Sequence, residues 1–441
     1  MENVESKYNI TVRTEHKTLL FNSLTGKIIA IDNDEYSAIE ALMSDLTIFQ
    51  SKYPKLLDSF KRAGFIINKD FNELEFIKYQ NQKKVFVDRN YRIAINPTLS
   101  CNLNCWYCSV KSAGAKHSNG RMNDDVISYL KKHLKLLISK CNIDSIILDW
   151  FGGEPTLYYN EVMKPISDYF IQLASSNTNL KYYYQQITTN ASLLNEDRIK
   201  EMRDACFKSF QITIDGNRKR HNEIKYSSNK NGTYDKVIEN LNLISKHIPD
   251  AAIFLRINFD KVTLNGIQDI IKDLSKETKK QVLVSFQRVW QVNLDESDIR
   301  QLKYVKNIFK QAGMNCSQGI YRTCTFKRCY ADSHYFYVVN YDGLIYKCTA
   351  RDYSDKLCVG KLENTGYISW NSSLLSKYYS KATFENELCL NCKFLPICMG
   401  PCIQINFDYK LIKQPTKCVL RNYEYSVEEW IIDLAKKNKI I

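Results

Sequence analysis

From Tyr91 onward the chain alternates strand-like and helix-like runs, and nothing else in it restricts the fold so strongly. The runs "YRIAINP", "SIILDWFGG", "YYYQQITTN", "FKSFQITIDG", "AIFLRINF" and "QVLVSFQRV" are rich in β-branched and aromatic residues. Between them lie stretches of helical period, among them "MNDDVISYLKKHLKLLIS", "DKVIENLNLISKHI" and "GIQDIIKDLSKE". Strands that alternate with crossover helices run parallel, so six such units predict an α/β fold, a partial (β/α)6 TIM barrel over residues 91–310. In that architecture the working groups sit where the strands end. Every unusual polar or glycine-containing cluster falls there: three cysteines after the first strand, "GGEP" after the second, "TTNAS" after the third, "DG" after the fourth, and "RIN" closing the fifth.

The first eighty residues have a different texture. "YNITVR", "TLLFN" and "KIIAID" are short β-rich runs with "SLTG" as a turn, followed by helices at "DEYSAIEALM" and "YPKLLDSFKRAG", the second closed by Gly64. A polar connector is expected around "QNQKK". After about residue 315 the periodicity fades and cysteines accumulate, and a segment stapled by cysteine ligands tolerates irregular backbone. At 441 residues the chain exceeds one ordinary core, and four parts are expected: residues 1–80, 91–310, 311–425 and a C-terminal helix over 426–441. The start shows no signal peptide and no window suits a membrane span, so a cytoplasmic protein without a membrane partner is expected. In that compartment fifteen cysteines read as reduced thiols and metal ligands rather than disulfides. The net charge of +14 comes without any block of five basic residues, so it reads as a solvated basic surface and not as a nucleic-acid site.

Cys101-x3-Cys105-x2-Cys108 places three thiolates on one short loop. Three ligands suit a 4Fe–4S cluster whose fourth iron is left open, and an open coordination position points to chemistry rather than scaffolding. This loop resembles that of the radical S-adenosylmethionine (radical SAM) enzymes, where the open iron chelates SAM and an electron from the cluster cleaves it to a 5′-deoxyadenosyl radical. The resemblance implies catalytic and cluster-binding roles for Cys101, Cys105 and Cys108, and sets Tyr107 beside the adenine. Gly152, Gly153 and Glu154 resemble the family's glycine-rich motif, which receives the SAM ammonium; Thr189 and Asn190 fall where polar groups meet the ribose. Asp215, Gly216 and His221 match a segment of one large branch, which usually carries arginine where this chain has Lys225; Arg256 and Asn258 sit where the fifth strand approaches the nucleoside.

The C-terminal part resembles a SPASM domain, which holds two auxiliary 4Fe–4S clusters. That likeness assigns Cys389, Cys392, Cys398 and Cys418 to an outer cluster and Cys329, Cys348 and Cys402 to an inner one, with Cys324 as its fourth ligand and Cys316 as the alternative. If neither binds, the inner cluster keeps an open iron. Cys141, Cys206, Cys316 and Cys358 are left as packing or free thiols. A zinc ribbon is the competing reading of the C-x2-C unit.

Enzymes of this type act mostly on peptides and proteins. The order of the N-terminal extension resembles the small winged-helix domain with which peptide maturases bind a leader peptide as an added strand. The resemblance therefore implies a maturase of ribosomally made precursor peptides, forming a thioether, ether or carbon–carbon cross-link or an epimerised residue, with the leader on residues 1–80 and a flavodoxin- or ferredoxin-like electron donor. The alternatives are an anaerobic sulfatase-maturing enzyme that forms formylglycine, and a cluster protein that no longer cleaves SAM. Sulfatase-maturing enzymes carry an aspartate directly after the cysteine matching Cys348; here that position is Thr349, and the nearest acid, Asp352, is the candidate catalytic base.

Overall fold

The computed structural model describes residues 2–87, 89–108, 110, 120–140, 142–227, 229, 231–317, 325–326, 328–350, 353–403, 418, 420 and 426–441. Its contacts divide the chain into two compact units, each assembled from separated segments.

The first unit contains residues 1–87, 320–333 and 377–441. Strands β2 (Asn9–Arg13), β3 (Lys17–Asn22) and β4 (Lys27–Asp32) form an antiparallel sheet in that order, while β1 (Asn3–Glu5) pairs with β5 (Ile66–Asn68). The turn after β3 is built by Asn22, whose side chain accepts from the backbone amides of Leu24 and Thr25 at 3.0 and 2.9 Å. β3 is buried on both faces, and strand alternation sends its side chains to two cores. Leu19 and Phe21 pack with Phe394, Ile397, Trp430 and Ile431 of the C-terminal segment. Leu20 packs with Met43, Phe49, Leu57 and Phe60 of helices α1 (Asn33–Ser44), α2 (Leu46–Lys52) and α3 (Pro54–Ala63). Trp430, on the capped helix Val427–Lys437, meets the rings of Phe21 and Phe394 edge-on at 5.5 and 5.4 Å.

The polar connector expected around "QNQKK" is instead the middle of a helix, α4 (Glu73–Phe86). Its buried stripe is Glu73, Ile77, Asn81 and Val85, and two of these four are polar, so hydropathy concealed it. Each polar member has partners: Glu73 accepts from Ser6 Oγ at 2.6 Å and Lys7 N at 2.9 Å, and Asn81 accepts from Arg328 at 3.0 Å.

The second unit contains residues 88–319 and 334–376. β6 (Asn90–Ile95), β7 (Ser145–Trp150), β8 (Tyr182–Thr189), β9 (Phe207–Ile214), β10 (Ala252–Phe259) and β11 (Val282–Arg288) lie parallel in sequence order, the six strands expected from the alternation. The short β12 (Asn315–Cys316) continues the sheet beyond β11. At the other edge β13 (Phe336–Val339) joins β6 in parallel, and β14 (Leu344–Tyr346), β15 (Gly360–Leu362) and β16 (Ile368–Trp370) follow antiparallel. This is an open, partial barrel sheet extended by a meander. The helix expected over "GIQDIIKDLSKE" is broken: Leu274 is extended, and the Ser275 side chain caps a second short helix, Lys276–Gln281. No helix among the described residues is long and apolar enough to cross a membrane.

Candidate active site

The ends of the parallel strands surround a cavity of about 220 Å³ in the second unit. Its lining includes Cys101, Cys105 and Cys108, Tyr107, Gly152 and Gly153, Thr189 and Asn190, Lys225, and Arg256 with Asn258. One short loop after β6 thus faces the ends of β7 to β10, as the rim argument required.

The loop after β7 is held against the cysteine loop by its glycines. A Cβ on Gly152 would stand 2.3 Å from the Thr98 carbonyl oxygen, and one on Gly153 would stand 2.1 Å from that of Ser100. Gly152 also has φ +117°, a conformation side chains disfavour. The closeness lets Gly153 N donate to Thr98 O at 3.0 Å and Glu154 N to Ser100 O at 2.9 Å. Glu154 is buried, and its carboxylate accepts from Thr156 N and Oγ1, Thr189 Oγ1 and Asn190 N at 2.5–3.1 Å. It ties the ends of β7 and β8 together, and burial raises its pKa. Asn190 in turn donates to Asn102 Oδ1 at 3.0 Å and reaches Cys101 Sγ at 3.8 Å.

A second network forms at the ends of β9 and β10. Asp215 is fully buried and accepts from the Tyr107 hydroxyl and from Asn258 Nδ2 at 3.3 Å. Lys225 Nζ lies 3.0 Å from Thr213 Oγ1, 3.9 Å from Asp215 and 3.8 Å from Cys105 Sγ. Burial raises the Asp215 pKa even beside Lys225. Burial alone would lower that of Lys225, but Asp215, Tyr107, Cys105 and Cys101 together hold it well above its ordinary value. His221 is buried, accepts from Asp215 N at 3.3 Å, and is kept neutral by burial. Arg256 donates to Asn258 at 2.8 Å.

The Cys101 and Cys105 thiols are poor nucleophiles. Burial pushes Cys101 up to about 12 and raises Cys105, with neighbouring anions adding to it. A reactive cysteine needs a lowered pKa, so thiolates form here only when a metal displaces the proton. Three thiols lining one cavity, with Lys225 Nζ 3.8 Å from Cys105 Sγ and Leu103 N 3.4 Å from Cys101 Sγ, suit the chemistry of an anionic iron–sulfur cluster.

The remaining expected ligands divide between the units. In the first, burial pushes Cys398 up to about 12, with Cys389, Cys392 and Cys418 close enough to add to it; burial likewise raises Cys389 and Cys392. Cys329 and Cys402 are linked there by the buried pair Arg328–Asp332, 2.8 Å apart. Arg328 donates to Met399 O at 3.1 Å and to Thr383 Oγ1 at 2.6 Å, and Asp332 accepts from Ile403 N at 2.8 Å. In the second unit Cys348 follows β14 and accepts from Ala350 N at 3.3 Å, and Ala350 itself lines the cavity. Cys316 and Cys358 donate to the carbonyls of Lys306 and Gly360. Cys324, Cys141 and Asp352 lie outside the described residues.

The sequence reading passed over Arg288, Val289 and Trp290, which line the cavity from the end of β11. The rim rule applied to the sixth strand would have found them. Gln211 and Thr213 were also missed, because alternation within β9 gives no local signal that these two face the cavity.

Residues 95–274 match the radical SAM superfamily. The radical SAM cyclopropyl synthase TigE of Paramaledivibacter caminithermalis is 22% identical, over 90% of this chain and 89% of its own length. A cysteine-type anaerobic sulfatase-maturating enzyme of Clostridium novyi is 21% identical over 71% of this chain and 88% of its own. Among solved structures, anSMEcpe with bound AdoMet superposes with a TM-score of 0.57 at 20% identity, covering 79% of this chain and 99% of that one. Streptococcus suis SuiB bound to its precursor peptide SuiA gives 0.50 at 16%, covering 94% and 98%. The cysteine loop, the strand-end cavity and these likenesses agree: residues 95–274 carry a radical SAM domain, the mark of a radical SAM enzyme.

Proposed function

We propose that this enzyme is a maturase of ribosomally made peptides, with the leader bound by residues 1–80 and the reaction carried out in the cavity around Cys101, Cys105 and Cys108. The observation that carries this reading is the sheet built ahead of the barrel. β4 is one of its two edge strands and pairs only with β3 among the described residues, so its second edge has no strand partner there and suits an extended peptide. The relatives support it as well: TigE matches 90% of the chain in sequence against 71% for the sulfatase-maturating enzyme, and SuiB covers 94% of it in structure against 79% for anSMEcpe. Thr349, in place of an aspartate after Cys348, also speaks against formylglycine formation.

In this reading SAM and its cluster supply one-electron cleavage and hydrogen-atom abstraction. The chain's own part is to hold them: the thiols of Cys101, Cys105 and Cys108 bind the cluster, while Lys225 offsets its charge. Gly152, Gly153, Thr189, Asn190, Arg256 and Asn258 line the space for SAM, and Arg288 and Trp290 face the substrate side. Cys389, Cys392, Cys398 and Cys418 would hold an outer auxiliary cluster.

The test is anaerobic co-expression with the short peptide encoded beside this gene, followed by intact mass in ordinary and heavy water. Loss of two hydrogens with tandem fragments that stay joined across the new bond establishes a cross-link, since oxidation of a serine to formylglycine loses two hydrogens without joining residues; gain of one deuterium establishes epimerisation. An unchanged peptide with fully loaded clusters would overturn the proposal, and cysteine- and serine-type sulfatase peptides would be tried next.

A further inference from the structure

The Tyr8 hydroxyl is buried without a hydrogen-bond partner among the described residues, although the rest of Tyr8 is firmly placed. It precedes β2, its amide donates to Ser6 Oγ at 3.2 Å, and its carbonyl accepts from Ser23 N at 3.0 Å. Its ring packs in a core with Leu24, Ile77, Phe384, Leu395 and Met399, against which Cys389 and Leu390 also lie. An orphaned buried hydroxyl forfeits the hydrogen bond that water would give it, so such a group calls for a partner that the protein atoms do not supply.

The surroundings say which partner. Burial pushes the phenol up to about 12, with Glu73, whose oxygens are taken by Ser6 and Lys7, and the Cys392 thiol acting in the same direction, while Cys389 packs against the same core. Cys392 belongs to the group of four thiols at Cys389, Cys392, Cys398 and Cys418. The same N-terminal stretch is fastened to that loop by Lys7 Nζ donating to Leu390 O at 3.0 Å and Ser23 Oγ donating to Lys393 O at 2.5 Å. Leu390 and Lys393 flank Cys392 in sequence.

We infer that Tyr8 donates its hydroxyl hydrogen bond to a sulfur of the iron–sulfur cluster held by Cys389, Cys392, Cys398 and Cys418, and thereby makes that cluster easier to reduce. The inference rests on the proposed assignment of those four cysteines to an auxiliary cluster. An O–H bond to a cluster sulfur stabilises the more negative, reduced state, and hydrogen bonds to the sulfurs are among the protein's means of setting cluster potential. It also makes the peptide-binding unit a direct contributor to the electronic state of the cluster, since Tyr8 lies in the same extension as β2, β3 and β4.

The experiment uses the full chain with Cys101→Ala, Cys105→Ala and Cys108→Ala, reconstituted anaerobically, with and without Tyr8→Phe. Iron content, the melting curve and an EPR-monitored reductive titration are read on both. The expected result is unchanged iron and melting in Y8F, with one auxiliary signal roughly tenfold harder to reduce, about 59 mV for one electron. An exchangeable-proton coupling to that signal, seen by proton ENDOR in ordinary against heavy water, should vanish in the same variant. Unshifted signals with equal iron would overturn the inference and leave the auxiliary cluster standing, as would loss of iron in Y8F. A triple-alanine parent that binds no iron would instead overturn the cluster assignment itself.

Discussion

Replacing Lys225 with methionine removes the cation facing the buried Asp215 carboxylate while keeping nearly the same side-chain volume. The two side chains are 5% and 0% exposed and 3.9 Å apart, so solvent screens them little. Deleting one partner of a buried pair costs about 3–5 kcal/mol. Asp215 retains its bonds from Tyr107 and Asn258, and the separation is long for an ion pair, which places the expected loss near the lower bound, about 3 kcal/mol. In a unit of this size that corresponds to roughly 6–12 °C in Tm. Asp215→Asn alone should lose a similar amount by stranding the cation, whereas the double variant should recover to within about 1 kcal/mol of the parent. The sign with pH follows from the raised Asp215 pKa. An acid whose pKa is raised on folding contributes its stability below the ordinary 3.8 and loses it as pH climbs through the folded value, so the Lys225→Met deficit is largest at neutral pH and shrinks towards pH 4. Urea unfolding of the metal-free chain under reducing, anaerobic conditions measures all of this. Losses that simply add in the double variant, or a deficit that does not change with pH, would refute the electrostatic account.

Gly153→Ala pushes a methyl group into the Ser100 carbonyl and should break the two backbone bonds that dock the loop, at about 1 kcal/mol each plus an overpacking strain of about 1–3 kcal/mol. SAM affinity should fall at least tenfold by equilibrium dialysis of the reconstituted enzyme, and unchanged affinity would show that the loop does not need this closeness. Arg328→Met strands Asp332 beside Ile403 N and frees the Cys329 segment from Met399 O, so reconstituted protein should lose iron from an auxiliary centre while that bound by Cys101, Cys105 and Cys108 remains; full iron content would refute the clasp. His221 and His133 both have pKa values lowered by burial from 6.5, so their contribution is present above that pH and lost below it. The metal-free chain should lose stability between pH 6.5 and 5 by up to about 1.4 kcal/mol per pH unit for each histidine, and His221→Asn should flatten the slope; a flat parent curve would contradict the burial argument.

Much of this protein was legible in one dimension because its signals are local. Strand and helix periods alternate within short windows, so the six parallel strands and their order could be read from Tyr91 to Val289. A barrel collects strand ends on one rim whatever the helices do, which is why Cys101, Gly152, Thr189 and Asn258 could be expected around one cavity before any coordinates. What escaped was whatever depends on a partner far away in sequence. α4 looked like a connector because two of its buried positions are Glu73 and Asn81, whose burial is tolerable only once Ser6 and Arg328 arrive to meet them. The two-sided burial of β3 likewise needs Trp430, and the isolation of the Tyr8 hydroxyl needs Phe384 and Met399. Periodicity and ligand spacing act within a few residues, so the partial barrel and the cysteine loop could be read along the chain. Only the tertiary structure decided that the N-terminal strands and the C-terminal cysteine segment share one core, because a hydrophobic face carries no label for the distant segment that will cover it.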